Sequence, residues 1–204
     1  MVFREALKFG FPPLVLGGLA LWIGWTWLAA FFFLLTAFVF YFFRDPERPL
    51  PSSPTAVVSP ADGKVLSVVE EPFEGAPGRR IAIFLSVLDV HVNRAPVKAC
   101  MASVDYRPGK FHGALFERAS VENEQNVIRF ESERGPVIVK QIAGWIARRI
   151  LVWRPVGSTL ERGERFGMIR FGSRVEIWLP SQARVTIQPG QRVRSGGSTI
   201  ADWR

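Results

Sequence analysis

The sequence predicts a mostly β fold: a β-rich α+β single soluble domain, preceded by an N-terminal hydrophobic helical membrane anchor. Residues 9–43 contain no charged side chain, whereas the chain after residue 48 falls into short apolar runs separated by turn-forming residues. About 150 of the 204 residues follow the anchor, enough for one domain with a sizeable core. We therefore expect an anchor over residues 1–48 and a β-rich domain over residues 49–204.

The charge-free run is too long for one straight span of a bilayer. At about 1.5 Å per residue it would form a helix of roughly 50 Å, against a hydrocarbon core of about 30 Å. Gly24 lies near its middle together with three tryptophans, Trp22, Trp25 and Trp27. These residues mark a bend with the indoles at headgroup level, so a helical hairpin or a re-entrant pair of helices is predicted.

Basic residues flank the run on both sides: Arg4 and Lys8 precede it, and Arg44 and Arg48 follow it. Because positive residues favour the cytoplasmic side, both ends are expected at the cytoplasmic face of the cell membrane. A cleaved signal peptide is the alternative. Its apolar region would span about 7–15 residues before a small-residue cleavage site, whereas this run is far longer and ends in aromatic residues.

Composition narrows the classes of partner and cofactor. The formal net charge of +8 suits nucleic acid or an anionic lipid surface, and the anchor favours the lipid surface over nucleic acid. The single cysteine, Cys100, excludes an intrachain disulfide and fits a reducing compartment. With only two histidines, His91 and His112, no metal site is expected.

A short proline-rich linker, residues 49–54, leads from the anchor into segments of β character. Strands are predicted over residues 63–69, 80–86, 98–106, 126–131, 137–142, 166–170, 174–179 and 184–187. The best helix candidate covers residues 142–152, although this segment also fits a strand and a turn. Residues 190–197 predict a turn, a β-segment and a second turn, similar to the ending of lipoyl-like β folds.

The pair Gly172–Ser173, which opens a predicted strand about thirty residues before the C-terminus, indicates a serine that attacks its own preceding carbonyl. Glycine permits backbone angles that other residues avoid, so the peptide can be held in a strained turn beside the hydroxyl. An N-to-O acyl shift, β-elimination and hydrolysis would leave a pyruvoyl group, whose ketone can form a Schiff base with a substrate amine. An ordinary Gly-Ser turn is the alternative for the dipeptide alone.

Five short sequence blocks along the chain are informative as a set. They are FFRDPER at residues 42–48, SPADGKV at 59–65, FLSVLDVHVNRAP at 84–96, ENEQN at 122–126 and FGS at 171–173. Their order and spacing resemble the phosphatidylserine decarboxylase family, and its short, archaeal-type branch in particular.

The resemblance implies a pyruvoyl-dependent lyase that converts phosphatidylserine to phosphatidylethanolamine, with no metal. Cleavage between Gly172 and Ser173 would give a β chain of residues 1–172 and an α chain of residues 173–204, with the pyruvoyl group formed from Ser173. The α chain is too short to fold alone, so it must stay paired within the larger chain's sheet. A homodimer is the assembly that the family suggests.

Asp62 lies in a Pro-Ala-Asp-Gly segment that predicts a hairpin turn. The resemblance adds that Asp62 orients a histidine that activates the serine, and His91 is the candidate base. Larger relatives carry a second histidine three residues on, where this chain has Arg94, which cannot serve as an ordinary base. Either His91 acts in both self-cleavage and decarboxylation, or self-cleavage depends mainly on backbone strain with Asp62 assisting.

Four residues are candidates for substrate binding. Arg44 and Arg48 follow the anchor, where guanidinium groups meet phosphate, although a role as topology anchors fits equally. Asn123 and Glu124 belong to the ENEQN block, whose other interpretation is a solvated loop.

Two residues have simpler interpretations. Ser158, in a second Gly-Ser pair, is interpreted as a turn hydroxyl, with a place near the substrate head group as the alternative. His112 is interpreted as a surface-loop residue, although it could also approach the site.

Two other functions fit the sequence without the resemblance. One is a membrane-anchored serine hydrolase that uses Ser173 or Ser158 with His91 and Asp62, and the other is a non-catalytic anchored β module. Archaetidylserine or another serine lipid is an alternative substrate, because no residue pattern distinguishes the hydrocarbon chains.

Overall fold

The computed structural model describes residues 2–145, 149–170 and 172–204, and the chain divides into two compact units, Met1–Pro46 and Glu47–Arg204. The smaller unit is a pair of helices, α1 (Val2–Trp22) and α2 (Thr26–Phe42). The chain reverses between them at Gly24, whose φ of 88° lies in the left-handed region that glycine tolerates. The predicted helix pair and its bend are confirmed.

The two helices run antiparallel, and glycines let them approach closely. A Cβ on Gly10 would lie 3.0 Å from the ring of Phe40, and one on Gly17 would lie 2.9 Å from the ring of Phe33. None of the helices in the described part of the chain combines the length and the apolar character that crossing a bilayer requires.

In its described residues, the larger unit is built from antiparallel strands and one short helix, α3 (Glu117–Glu122). Its strands are β1 (Ala56–Val58), β2 (Gly63–Glu70), β3 (Gly78–Leu85), β4 (Val92–Arg94), β5 (Ala99–Arg107), β6 (Gln125–Ser132), β7 (Gly135–Ala143), β8 (Ile150–Val152), β9 (Thr159–Leu160), β10 (Arg165–Ile169), β11 (Ser173–Pro180), β12 (Ala183–Val185), β13 (Arg192–Val193) and β14 (Thr199–Trp203). The predicted β-rich α+β class is therefore confirmed.

Among the described residues the strands form three sheets. The largest has the order β13-β2-β3-β11-β7-β6-β5-β9, and the two smaller sheets have the orders β4-β10-β8 and β1-β14-β12. Fully buried apolar side chains such as Ile83, Val139 and Ile177 come from neighbouring strands of the large sheet and join one core. Strand β11 lies inside this sheet, so the residue that opens it is surrounded by paired backbone.

Each of the eight predicted strand segments falls on an observed strand, and the last of them ends two residues earlier than predicted. The helix predicted over residues 142–152 is wrong at both ends, because residues 142–143 end β7 and residues 150–152 form β8; residues 146–148 lie outside the described residues. Pairing of β7 with both β6 and β11 outweighs local helix propensity there. The turn, strand and turn expected over residues 190–197 are present, and their lipoyl-like character stays a prediction.

Candidate active site

Ser173 is the first residue of β11, and its backbone pairs with Leu85 on one side and Ala143 on the other. The residue is fully buried, and its Oγ has no hydrogen-bond partner among the described residues. A buried hydroxyl without a partner costs about 1–3 kcal/mol, so such a group calls for an explanation. Reactivity supplies one, since this hydroxyl is not engaged in holding the fold.

The residue before it, Gly172, has a φ of 66°, in the left-handed region that residues with a side chain rarely adopt. The turn into β11 therefore requires glycine at the position that precedes the serine. The sequence predicts such a glycine turn at this junction, and strain in the peptide stays a prediction.

His91 lies directly beside this junction. The Gly172 N–H donates to His91 Nε2 at 3.3 Å, and His91 Nδ1 is 2.9 Å from the Asp89 carbonyl oxygen. Since a carbonyl only accepts, Nδ1 carries the proton, and Nε2 presents its lone pair to the backbone of Gly172. A neutral imidazole in this tautomer is the form that a general base needs.

Asp89 fixes the loop that carries His91, and sequence reasoning missed it. Its Oδ2 accepts from the backbone N–H of Ser86 at 2.9 Å and from the Ser86 hydroxyl at 2.7 Å, and its Oδ1 accepts from Arg192 at 2.9 Å. Burial alone would raise the pKa of Asp89, but these hydrogen bonds and the Arg192 charge hold the pKa below its usual value. The Ser-x-x-Asp spacing is a sequence signal for such a loop.

Asp62 lies in the turn before β2, and both of its oxygens have partners. The predicted hairpin is wrong, because β1 pairs with β14 whereas β2 pairs with β13 and β3. Oδ1 accepts from the Ser195 backbone N–H at 2.7 Å, and Oδ2 pairs with Arg48 at 2.7 Å. Burial raises the pKa of Asp62, although these two partners oppose the increase. The Asp62–His91 contact that the resemblance implies stays a prediction, and the Arg48 pair was not anticipated.

The Asp62 turn is tied to β4 through one carbonyl. Pro60 O accepts from the Asn93 side chain at 3.3 Å, from the Arg94 backbone at 3.0 Å and from the Ser195 hydroxyl at 3.2 Å. The Arg94 guanidinium donates to Gly163 O at 3.2 Å. The arginine at the position of the second histidine is thus buried and helps to hold a neighbouring turn.

Gly144 packs closely against the junction. A Cβ at Gly144 would lie 2.1 Å from the Gly172 carbonyl oxygen and 3.4 Å from the Ala114 Cβ. Only glycine leaves this oxygen in place, so Gly144 is a positioning residue for the carbonyl that Ser173 would attack. No local pattern in the sequence identifies it, because residues 144 and 172 meet only in the folded sheet.

Asn123 and Glu124 lie on the far side of Ala143. Asn123 is buried, so the solvated-loop interpretation is wrong for it; its Nδ2 donates to Ala143 O at 2.7 Å and to His112 O at 2.8 Å. Ala143 N donates to the Glu124 backbone oxygen at 2.9 Å, and burial raises the pKa of the Glu124 carboxyl. Both residues therefore fix the strand end that pairs with Ser173.

The remaining candidates have local partners. The Arg44 guanidinium donates to Tyr41 O at 2.9 Å and stacks over the Tyr41 ring. His112 Nε2 lies 3.1 Å from Glu122 Oε2. Ser158 occupies a turn between β8 and β9, as expected of a turn hydroxyl.

The outward face of β11 carries a buried ion-pair cluster. Glu176 is fully buried; its Oε1 pairs with Arg174 at 2.7 Å and with Arg80 at 2.9 Å, and its Oε2 accepts from the Ser120 hydroxyl at 2.8 Å. Burial lowers the pKa of the adjacent Lys140. The cluster connects β11 to β3 and α3 on the face opposite the apolar core.

Comparison with known proteins identifies the family. A family model described as phosphatidylserine decarboxylase matches residues 35–201. The chain belongs to this family. As a member, it is a carboxy-lyase made as a proenzyme, and its pyruvoyl cofactor derives from one of its own serines.

Curated relatives support the same family over most of the chain. A phosphatidylserine decarboxylase proenzyme of Symbiobacterium thermophilum is 45% identical over 204 residues, covering 98% of this chain and 94% of that protein. Proenzymes of the same description from Ralstonia nicotianae and Cupriavidus pinatubonensis are each 44% identical, covering 88% and 86% of this chain and 84% and 83% of those proteins.

Proposed function

We propose that this chain cleaves itself between Gly172 and Ser173 and then decarboxylates phosphatidylserine to phosphatidylethanolamine at the cytoplasmic face of the cell membrane. The observation that carries the assignment to Ser173 is its buried Oγ without a described partner, directly after a glycine with a φ of 66°. These features fit the origin of a pyruvoyl group, which needs a reactive serine behind a glycine that can adopt such a turn.

Self-cleavage begins when Ser173 Oγ adds to the Gly172 carbonyl carbon. The C–N bond breaks and a C–O bond replaces it. In our proposal His91 Nε2 exchanges its hydrogen bond from the Gly172 N–H for one from the Ser173 hydroxyl, accepts the hydroxyl proton and returns it to the freed amine. Elimination then transfers the Ser173 Cα proton to a base, forms a Cα=Cβ double bond, breaks the Cβ–Oγ bond and releases Gly172 as a carboxylate. A proton returns to Cβ as the enamine becomes an imine. Water finally displaces ammonia from the new N-terminus, which becomes the pyruvoyl group.

Once formed, the pyruvoyl group supplies an electrophilic carbonyl for the substrate amine and a sink for the electrons that carbon dioxide leaves behind. In our proposal His91 then delivers a proton to the former α-carbon, since its ring lies beside residue 172. Asp89 keeps the imidazole in place through the loop at residues 86–91. Asp62 assists by binding Arg48 and the Ser195 backbone N–H to the turn before β2.

We assign the lipid phosphate to the arginines that follow the helical pair, Arg44 and Arg48, on the basis of their charge and position. The Arg48 pair with Asp62 links such a contact to the candidate site within the larger unit. Asn123 and Glu124 act through Ala143, by fixing the strand that pairs with Ser173. Arg94, at the position of the second histidine, supports assignment to the short, archaeal-type branch.

The α chain that cleavage produces is expected to stay bound to the β chain. Residues 173–204 contribute β11 to the interior of the large sheet, β13 to its edge, and β12 and β14 to a smaller sheet. The ion pair between Glu176 and Arg80 joins the two products across a buried interface. The α chain is therefore held by backbone pairing, apolar packing and charge together.

The mass of the purified protein tests this proposal. We expect two fragments, with residues 173–204 blocked at the N-terminus and labelled by borohydride in the presence of an amine. An intact chain labelled by a fluorophosphonate would instead indicate a serine hydrolase, and an intact unreactive chain would indicate a non-catalytic module.

A further inference from the structure

Eight large apolar side chains are exposed in the described part of the larger unit, and half of them flank the candidate site. These four are Leu88, Leu115, Phe116 and Trp145, with exposed fractions of 59%, 57%, 58% and 74%. We call them the apolar rim. Soluble proteins rarely expose several large apolar side chains in one patch, so such a patch indicates a surface that binds a partner or a membrane.

Each rim segment is connected to the scissile glycine through a residue next to it in the chain. Val87, next to Leu88, lies 3.8 Å from the position of a Cβ on Gly172, and Gly144, next to Trp145, abuts the Gly172 carbonyl oxygen. Ala114, next to Leu115, lies against Gly144. The chain neighbours of exposed apolar residues on three separate loops thus pack around one reacting bond.

Arginines accompany the rim. Arg118 lies over the Phe116 ring, 5.4 Å from its centroid, and Arg192 is exposed beside the Leu88 loop, where it pairs with Asp89. Nearby acidic groups have cationic partners: Glu117 pairs with Arg174, and Glu122 pairs with Lys110. Apolar and aromatic groups edged by guanidinium groups match the boundary of a bilayer that contains anionic phospholipid.

We propose that the apolar rim inserts into the surface of an anionic phospholipid bilayer and brings the Gly172–Ser173 junction to the membrane surface. This inference rests on the proposed function, because a substrate that is a bilayer lipid reaches Ser173 only if the site meets the lipid surface. A second copy of the chain on the rim would block that route.

Fluorescence of the full-length chain tests the insertion. In a Cys100→Ser background, Leu115→Cys carries an environment-sensitive fluorophore, and Val156→Cys, which replaces an exposed apolar residue away from the rim, is the matched control. With vesicles of phosphatidylcholine and phosphatidylglycerol, we expect a blue shift at residue 115 and none at residue 156. Equal shifts, or no shift at residue 115, would overturn the proposal. A shift that grows with protein concentration without vesicles would show a second copy and overturn it too.

Steady-state kinetics on two forms of the substrate distinguish failure of this inference from failure of the proposed function. The double variant Leu115→Ser/Phe116→Ser should lose about tenfold in kcat/KM on phosphatidylserine in vesicles, equivalent to about 1.4 kcal/mol, while retaining the wild-type value on a monomeric short-chain substrate. Equal losses on both substrates would refute insertion by the rim. If the wild-type protein acts on neither substrate, the proposed function itself fails.

Discussion

Replacing Gly144 with alanine should slow self-cleavage without touching any ionisable group. The new Cβ would lie 2.1 Å from the Gly172 carbonyl oxygen, whereas real Cβ contacts begin at 3.0 Å, so one of the two must move by roughly 1 Å. A displacement of that size at a reacting centre costs about 10²-fold in rate. We therefore expect Gly144→Ala to accumulate as precursor.

The assay follows conversion of precursor into the two fragments over time by mass spectrometry and gel electrophoresis. Gly18→Ala is the control, because a Cβ at Gly18 meets nothing within 4 Å. A thermal unfolding curve shows whether Gly144→Ala is folded. The small amount of the variant that does cleave gives the decarboxylation rate per cleaved chain. A folded Gly144→Ala protein that cleaves at the wild-type rate would refute the placement of the scissile carbonyl.

Three further predictions concern single side chains. His91→Ala should slow both self-cleavage and turnover per cleaved chain by about 10²–10⁴-fold, as loss of a general acid–base does. Asp89→Asn should flatten the dependence of the free energy of unfolding on pH. Burial raises the pKa of the Asp89 carboxyl, but hydrogen bonding outweighs burial and keeps this pKa below 3.8 in the folded state. The carboxylate therefore stabilises the fold above pH 3.8, and this stabilisation is lost as pH falls through the lower pKa of the folded state. Glu176→Gln should lower the free energy of unfolding by about 1–3 kcal/mol, because it removes the fully buried carboxylate that Arg174 and Arg80 share, while Arg174 keeps Glu117 and Arg80 keeps Glu71.

Each of these predictions has its own check. Cleavage without turnover in His91→Ala would restrict the histidine to decarboxylation. Urea unfolding of Asp89→Asn and wild type from pH 6 to about pH 3 would contradict the pKa argument if both curves had the same slope. For Glu176→Gln the control is Glu70→Gln, whose exposed pair with Arg79 should be worth less than about 1 kcal/mol. Similar losses for both would show that burial of Glu176 does not matter.

Local patterns predicted much of the fold because strand alternation, turn formers and the charge-free run are encoded in neighbouring residues. Alternation in β11 correctly placed Val175, Ile177 and Leu179 on one face, and the glycine bend between the helices followed from composition. Arg174 and Glu176 are also buried, because α3 and countercharges cover the opposite face. That cover comes from residues far away in sequence, so periodicity could not reveal it.

The candidate site was predictable only where the chemistry was local. The Gly172–Ser173 junction and the Asp62 turn are dipeptide and tetrapeptide features, and the family resemblance supplied His91. The contact of Gly144 with the Gly172 oxygen and the Arg48–Asp62 pair depend on which strands and turns lie together. The helix predicted over residues 142–152 is wrong for the same reason, since sheet pairing outweighed propensity.

Substitution of Ser173 by alanine, followed by incubation of the purified full-length protein with phosphatidylserine vesicles, tests the central claim most directly. We predict a single uncleaved chain and no phosphatidylethanolamine above the background without enzyme. Production of phosphatidylethanolamine by Ser173→Ala at a rate near that of the wild type would contradict the claim that this residue becomes the reactive carbonyl.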